Sequence, residues 1–127
     1  MIVNSPAVLA EVEAAFDRYE QALMENDLET LDALFWRSPH TVRYGVGENL
    51  YGIDEIAAFR KARPGGSPPR RLLRRIITCF GDDVATANVE FQREGGGRIG
   101  RQSQTWVRTD EGWRVVSAHV SLMAEGH

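Results

Sequence analysis

The stretch Gly100-Arg-Gln-Ser-Gln-Thr-Trp-Val-Arg108, the connection Thr109-Asp-Glu-Gly112 and the stretch Trp113-Arg-Val-Val-Ser-Ala-His-Val-Ser121 read as two strands joined by a glycine-containing turn. Alternate side chains of a strand point to opposite faces. On that parity Gln102, Gln104 and Trp106 share one face of the first strand, and Trp113, Ser117, His119 and Ser121 share one face of the second. A face packed into a core favours valine and isoleucine, whereas Trp, Gln, His and Ser together suit a pocket that hydrogen-bonds a small polar ligand. The other face, with Ile99, Thr105, Val107, Val116, Ala118, Val120 and Leu122, is apolar and convex, and an exposed patch of that kind marks an interface. A twofold homodimer joined sheet to sheet is therefore expected. A one-residue slip in register would exchange the two faces.

Two further strands are predicted near residues 70–80 and 84–93, set off by Gly81-Asp-Asp and Glu94-Gly-Gly-Gly97, so that with 98–109 and 113–123 they form an antiparallel meander. Ahead of them Pro64-Gly-Gly-Ser-Pro-Pro69 must be a loop. From His40 to Tyr51 the pattern is strand, Gly45-Val46-Gly47 turn, strand, and Gly52 then precedes a helix from about Asp54 to Ala62 with Ile56 and Phe59 inward. Asp27 can cap a short helix whose Leu28, Leu31, Leu34 and Phe35 lie on one side. Ser5-Pro6 opens a long amphipathic helix, with Val8, Leu9, Val12, Ala15, Phe16, Tyr19 and Leu23 at helical spacing, that ends near Asn26. Helices first and a long antiparallel sheet afterwards is the α+β layout, and a strongly curved sheet folding over those helices makes a cone with one open mouth.

The 127 residues, 43% of them hydrophobic, supply one core, so residues 1–127 are expected to form a single domain. A net charge of −3 and the lack of a basic cluster beside exposed aromatics argue against nucleic acid as a partner. The one dense basic run, Arg70-Arg71 with Arg74-Arg75, reads as a solvated strand edge. The single Cys79 excludes an intrachain disulfide and a cysteine zinc site and fits a reducing compartment. Acidic Glu11 and Glu13 interrupt the first apolar segment, so neither a secretion signal nor a membrane span is expected, and the cytoplasm is the expected location. Histidines at 40, 119 and 127 have no ligand spacing, so no metal or cofactor is expected. No Gly-X-Ser-X-Gly elbow, His-Glu-X-X-His or phosphate-cradling loop occurs.

Several side chains carry the chemistry that remains. Tyr19 lies on the apolar stripe of the first helix, where it is either a core residue or a hydroxyl aimed into a cavity. Arg43, two residues before Gly45 on a short strand, could enter the same cavity, where a buried guanidinium needs an anion. An ion pair with Glu48 or Asp17 would be its alternative fate. Arg60 and Arg63 flank the third helix, at the mouth or solvated, and two converging arginines would select carboxylates. Gln102 and Gln104 both donate and accept, which suits urea N–H and C=O groups, and Trp106 and Trp113 could wall out water. His119 is a pocket residue of open duty, general base or satisfied core histidine.

The runs His40-Thr-Val-Arg-Tyr-Gly45, Glu48 to Gly52, Phe59-Arg60, Arg63, Gly100 to Trp106 and His119-Val-Ser121 resemble the AtzH-like family, within the SnoaL-like region of the nuclear-transport-factor-2-like superfamily. The likeness covers about residues 8–123. It implies a nuclear-transport-factor-2-like cone and catabolism of small ureido or carboxyurea compounds, from s-triazine rings or from purine breakdown through oxalurate. It further implies decarboxylation of 1,3-dicarboxyurea to allophanate by an essential tyrosine and arginine, which match Tyr19 and Arg43 here. Tyr44, Phe59, Arg60, Arg63, Gln102, Gln104, Trp106, His119 and Ser121 form the expected substrate-binding set. The expected protein is a cofactor-free decarboxylating lyase or hydrolase acting on a small anionic N-carboxylated urea. The alternative is a non-catalytic binding or association domain of the same fold, which would keep the same pocket.

Overall fold

The computed structural model describes residues 1–125; Gly126 and His127, the latter a histidine with no expected chemistry, lie outside them. Helix α1 (Pro6–Glu25) starts with proline at its first positions, where a missing N–H costs nothing, and buries Val8, Val12, Phe16, Tyr19 and Ala22 along one stripe. It stops because Asn26 takes a left-handed conformation, φ 54° and ψ 40°, and the Asp27 N–H returns to the Ala22 carbonyl at 2.8 Å. Asp27 then caps α2 (Leu28–Leu34), its carboxylate accepting from the Thr30 N–H at 3.1 Å. The hairpin β1 (Val42–Tyr44) and β2 (Asn49–Tyr51) leads to α3 (Ile53–Ala62), and the long strands follow as β3 (Arg70–Phe80), β4 (Val84–Arg93), β5 (Gly100–Thr109) and β6 (Gly112–Leu122).

The six strands form one curved sheet in the order β2-β1-β6-β5-β4-β3. Strands β3 to β6 are the expected antiparallel meander. Strand β1 runs parallel to β6, which sets Arg43 opposite Ala118 and Tyr44 opposite His119. The concave face holds the core, in which Trp106, Phe16, Phe35, Phe91, Ile56 and Val115 are almost fully buried. Gly100 belongs to that packing: the Phe91 ring occupies the space a side chain would need there.

The parity read from the sequence fails halfway along β6. Thr105 pairs with Ser117, but Trp106 pairs with Val115, so Val116 is an extra residue in a β-bulge. A bulge shifts the alternation by one. Trp113 and Val115 point inward before it, Ala118 and Val120 after it. Ser117, His119 and Ser121 therefore lie on the outer face, not in the pocket. Tyr44 goes with them: its ring meets His119 edge-on at 5.6 Å between centroids, and its hydroxyl lies 3.3 Å from that of Tyr51. The outer face is correspondingly less apolar than expected. Thr105, Val107 and Val116 remain on it, but Ala118 and Val120 have moved to the concave side, and so has Leu122, which pairs with the inward Gly100.

Candidate active site

A cavity of about 340 Å³ opens at the mouth of the sheet, within the size range of small-molecule sites. Tyr19 and Leu23 of α1 form one wall, Arg43, Val46 and Glu48 of the first hairpin another, and Phe59 of α3 with Arg63 just past its end close the side. The loop at Gly66, Ser67 and Pro68 covers it, while Arg70, Phe91, Arg93, Gln102 and Val120 of the long strands supply the floor. A smaller crevice continues behind Tyr19, Arg43 and Arg63 to Arg60 and Leu31. Tyr19 and Arg43, far apart in the chain, thus share one cavity because the stripe of α1 faces the sheet and β1 pairs beside β6.

Each arginine has a different setting. Arg43 Nη1 donates to Glu48 Oε1 at 2.8 Å, and its side chain is only 16% exposed. Arg60 turns inward, its guanidinium 4.2 Å from the Phe35 ring centroid and 2.8 Å from Asp32. Burial holds it below the usual arginine range, against the opposing influence of Tyr19 and Asp32. Arg63 lies 4.7 Å from the Phe59 centroid. Burial and then repulsion from Arg43 push it down in the same sense. Arg70, expected at a solvated edge, is 4% exposed: Nε and Nη2 fork onto Glu20 at 3.3 and 2.5 Å, and Nη1 donates to Gln102 Oε1 at 3.2 Å. The bidentate fork is what makes that burial tolerable.

Of the expected set, Tyr19, Arg43, Phe59, Arg63 and Gln102 come together in the cavity, and Arg60 lines its rear crevice. Gln104 and Trp106 do not reach it: Trp106 Nε1 donates to Gln104 Oε1 at 3.0 Å inside the core. Trp113 is likewise structural, its indole N–H donating to Glu11 Oε1 at 3.0 Å. His119 and Ser121 are excluded by the bulge, and Tyr44 by its place next to the inward Arg43 on β1, which turns it to the opposite face. Sequence reasoning missed Glu48 as a cavity residue, put Arg70 at a solvated edge, and did not single out Arg93 or Phe91. The signal was present in Arg70 and Arg93, which stand opposite each other in the β3–β4 pairing at the strand ends nearest the mouth. Among the described residues no group of three or more His, Cys, Asp and Glu could hold a metal ion, and no helix is long and apolar enough to cross a membrane.

Helices packed over a curved sheet, with a polar cavity at the open end, define a nuclear-transport-factor-2-like protein. An NTF2-like protein of unknown function from Pseudomonas putida KT2440 superposes with a TM-score of 0.81 at 18% identity, over 97% of this chain and 92% of that one. The chain belongs to the AtzH-like family, whose model matches residues 1–126. Two solved structures are much nearer in sequence. A protein of unknown function of the DUF3225 family from Pectobacterium atrosepticum is 59% identical, with a TM-score of 0.93 over 96% of this chain and 95% of that one. A cystatin-like fold protein from Burkholderia xenovorans LB400 is 47% identical, with a TM-score of 0.93 over 98% of each. No curated protein matches the chain.

Proposed function

We propose that this protein is a cofactor-free enzyme that decarboxylates a small N-carboxylated urea such as 1,3-dicarboxyurea. The observation that carries the reading is the meeting of Tyr19 with Arg43, Arg63, Arg70 and Arg93 around one cavity. In the reaction the bond between the carbamate nitrogen and the carboxylate carbon breaks, carbon dioxide leaves, and the electron pair stays on the nitrogen and its conjugated carbonyl. The Tyr19 hydroxyl donates a proton to that nitrogen and is reprotonated from water. Arg43 orients the departing carboxylate, and fixed positive charge around the cavity favours the anionic urea that develops. Gln102 of the expected binding set, held by Arg70, lines the cavity and could hold the carbonyl, whereas Gln104 and His119 do not reach it.

The test is carbon dioxide release from 1,3-dicarboxyurea by the purified chain and by Tyr19→Phe. The variant keeps the ring that packs 6.0 Å from Phe16 and 6.4 Å from Phe35, so thermal unfolding should be unchanged. Turnover should fall about 100-fold or more if the hydroxyl moves the proton. Release at the wild-type rate by Tyr19→Phe removes Tyr19 from the mechanism. No release by the wild type favours a binding domain, the second reading, which the standing Arg43–Glu48 pair also suits.

A further inference from the structure

The arginines of the cavity come as two matched pairs. The guanidinium carbons of Arg43 and Arg63 lie 5.7 and 4.7 Å from the centroid of Phe59. Those of Arg70 and Arg93 lie 4.4 and 5.9 Å from the centroid of Phe91. Within each pair one member is tied to a glutamate, Arg43 to Glu48 and Arg70 to Glu20. The other member, Arg63 or Arg93, has no carboxylate partner among the described residues and lines the cavity. A phenyl ring orients a guanidinium through its face without cancelling the charge. Two guanidiniums without an ion-pair partner among the described residues therefore border the cavity, Arg63 just past the end of α3, where Glu48 acts on it from a distance, and Arg93 at the end of β4.

We propose that Arg63 and Arg93 are specificity-determining residues that make this cavity select a ligand bearing two carboxylates over one bearing a single carboxylate. The inference rests on the carboxyurea reading and deepens it. A dianion gives each unpaired guanidinium a charge-assisted partner, whereas a monoanion leaves one of them half-buried and uncompensated. Arg93 is near enough to Arg63 to be among the charges that lower its pKa, after burial and Arg43 and against the attraction of Glu48. The same charge count explains how product would leave: loss of one carboxylate as carbon dioxide turns a matched dianion into a mismatched monoanion.

The experiment is calorimetric titration at constant ionic strength with two stable ureas, N,N′-bis(carboxymethyl)urea as dianion and N-carboxymethylurea as monoanion. The wild type should bind the dianion at least about 10-fold more tightly. Arg63→Gln and Arg93→Gln should each bring the two affinities close to parity, and Arg93→Lys, which keeps the charge, should retain most of the preference. Arg93→Met replaces Arg93→Gln if the latter does not fold. Equal wild-type affinities overturn the proposal, and so does a preference that survives neutralisation of either arginine. Neither probe can be decarboxylated, so the two readings fail separately. A strong dianion preference without carbon dioxide release from 1,3-dicarboxyurea ends the decarboxylase reading alone, and release with equal affinities ends this inference alone.

Discussion

Arg43 brings its own carboxylate to the cavity. Glu48 reaches it by folding back over Gly45, where any side chain would collide with the glutamate, and the Gly47 N–H donates to the same carboxylate at 3.2 Å. A guanidinium whose charge is shared holds a second carboxylate less tightly. That suits a reaction in which the held carboxylate becomes neutral carbon dioxide, because a tight grip on the charged ground state would deepen the well from which the reaction starts. Glu48→Gln should accordingly lower KM and kcat together, each by about 3- to 10-fold, in steady-state assays of carbon dioxide release. A raised KM would show instead that Glu48 positions Arg43 for binding. Arg43 itself was legible in the sequence, but its partner was left between Glu48, which lies in the same short hairpin and makes the pair, and Asp17, which goes to Arg75. Gln104 and Trp106 were misread because parity says which side of a strand a residue faces, and nothing about how far along the cone the cavity extends.

At the scale of elements, the strand ends and turns were legible from glycine and proline, but the bulge in β6 was not. Val115-Val116-Ser117 carries no glycine or other turn residue to mark where an extra residue enters, and that one residue moved Ser117, His119 and Ser121 to the opposite face. The tie between α1 and the end of the sheet was equally silent in sequence. Glu11 accepts from the Trp113 indole at 3.0 Å and from Arg108 at 2.6 Å, residues about a hundred positions away. The Trp113 hydrogen bond first, and then Arg108, hold the Glu11 carboxyl below its ordinary range. A carboxylate depressed in the folded chain stabilises it above the unfolded pKa, near ~4.3, and that contribution is lost as pH falls through the lower folded value. Glu11→Gln should therefore lower the melting temperature near neutral pH, with the difference from wild type shrinking as the pH is taken below about 4. A deficit that persists unchanged in acid would assign the loss to packing against Trp113 and not to the charge.

For the whole molecule, the order of helices and strands was legible because each element carries its own periodicity, whereas the parallel pairing of β1 with β6 joins segments some seventy residues apart that no local pattern connects. That pairing completes the cavity and extends the outer face of the sheet as far as Tyr44 and Tyr51. The bulge makes this face mixed: Ser103, hydrogen-bonded to Asn88 at 2.6 Å, Thr105, Ser117 and His119 stand at its centre, and the exposed Ile76 lies toward β3. A patch of small polar and apolar side chains with few charges at its centre still suits a self-complementary twofold contact, in which each residue near the axis meets its own copy. Sedimentation at micromolar concentration should then give twice the chain mass of 14.2 kDa. Ser103→Arg sets two like charges close together across such an axis and should return the single-chain mass while leaving carbon dioxide release measurable, since the outer face takes no part in the cavity. A wild type that sediments at the chain mass ends the dimer reading, and a dimer indifferent to Ser103→Arg places the contact on another surface.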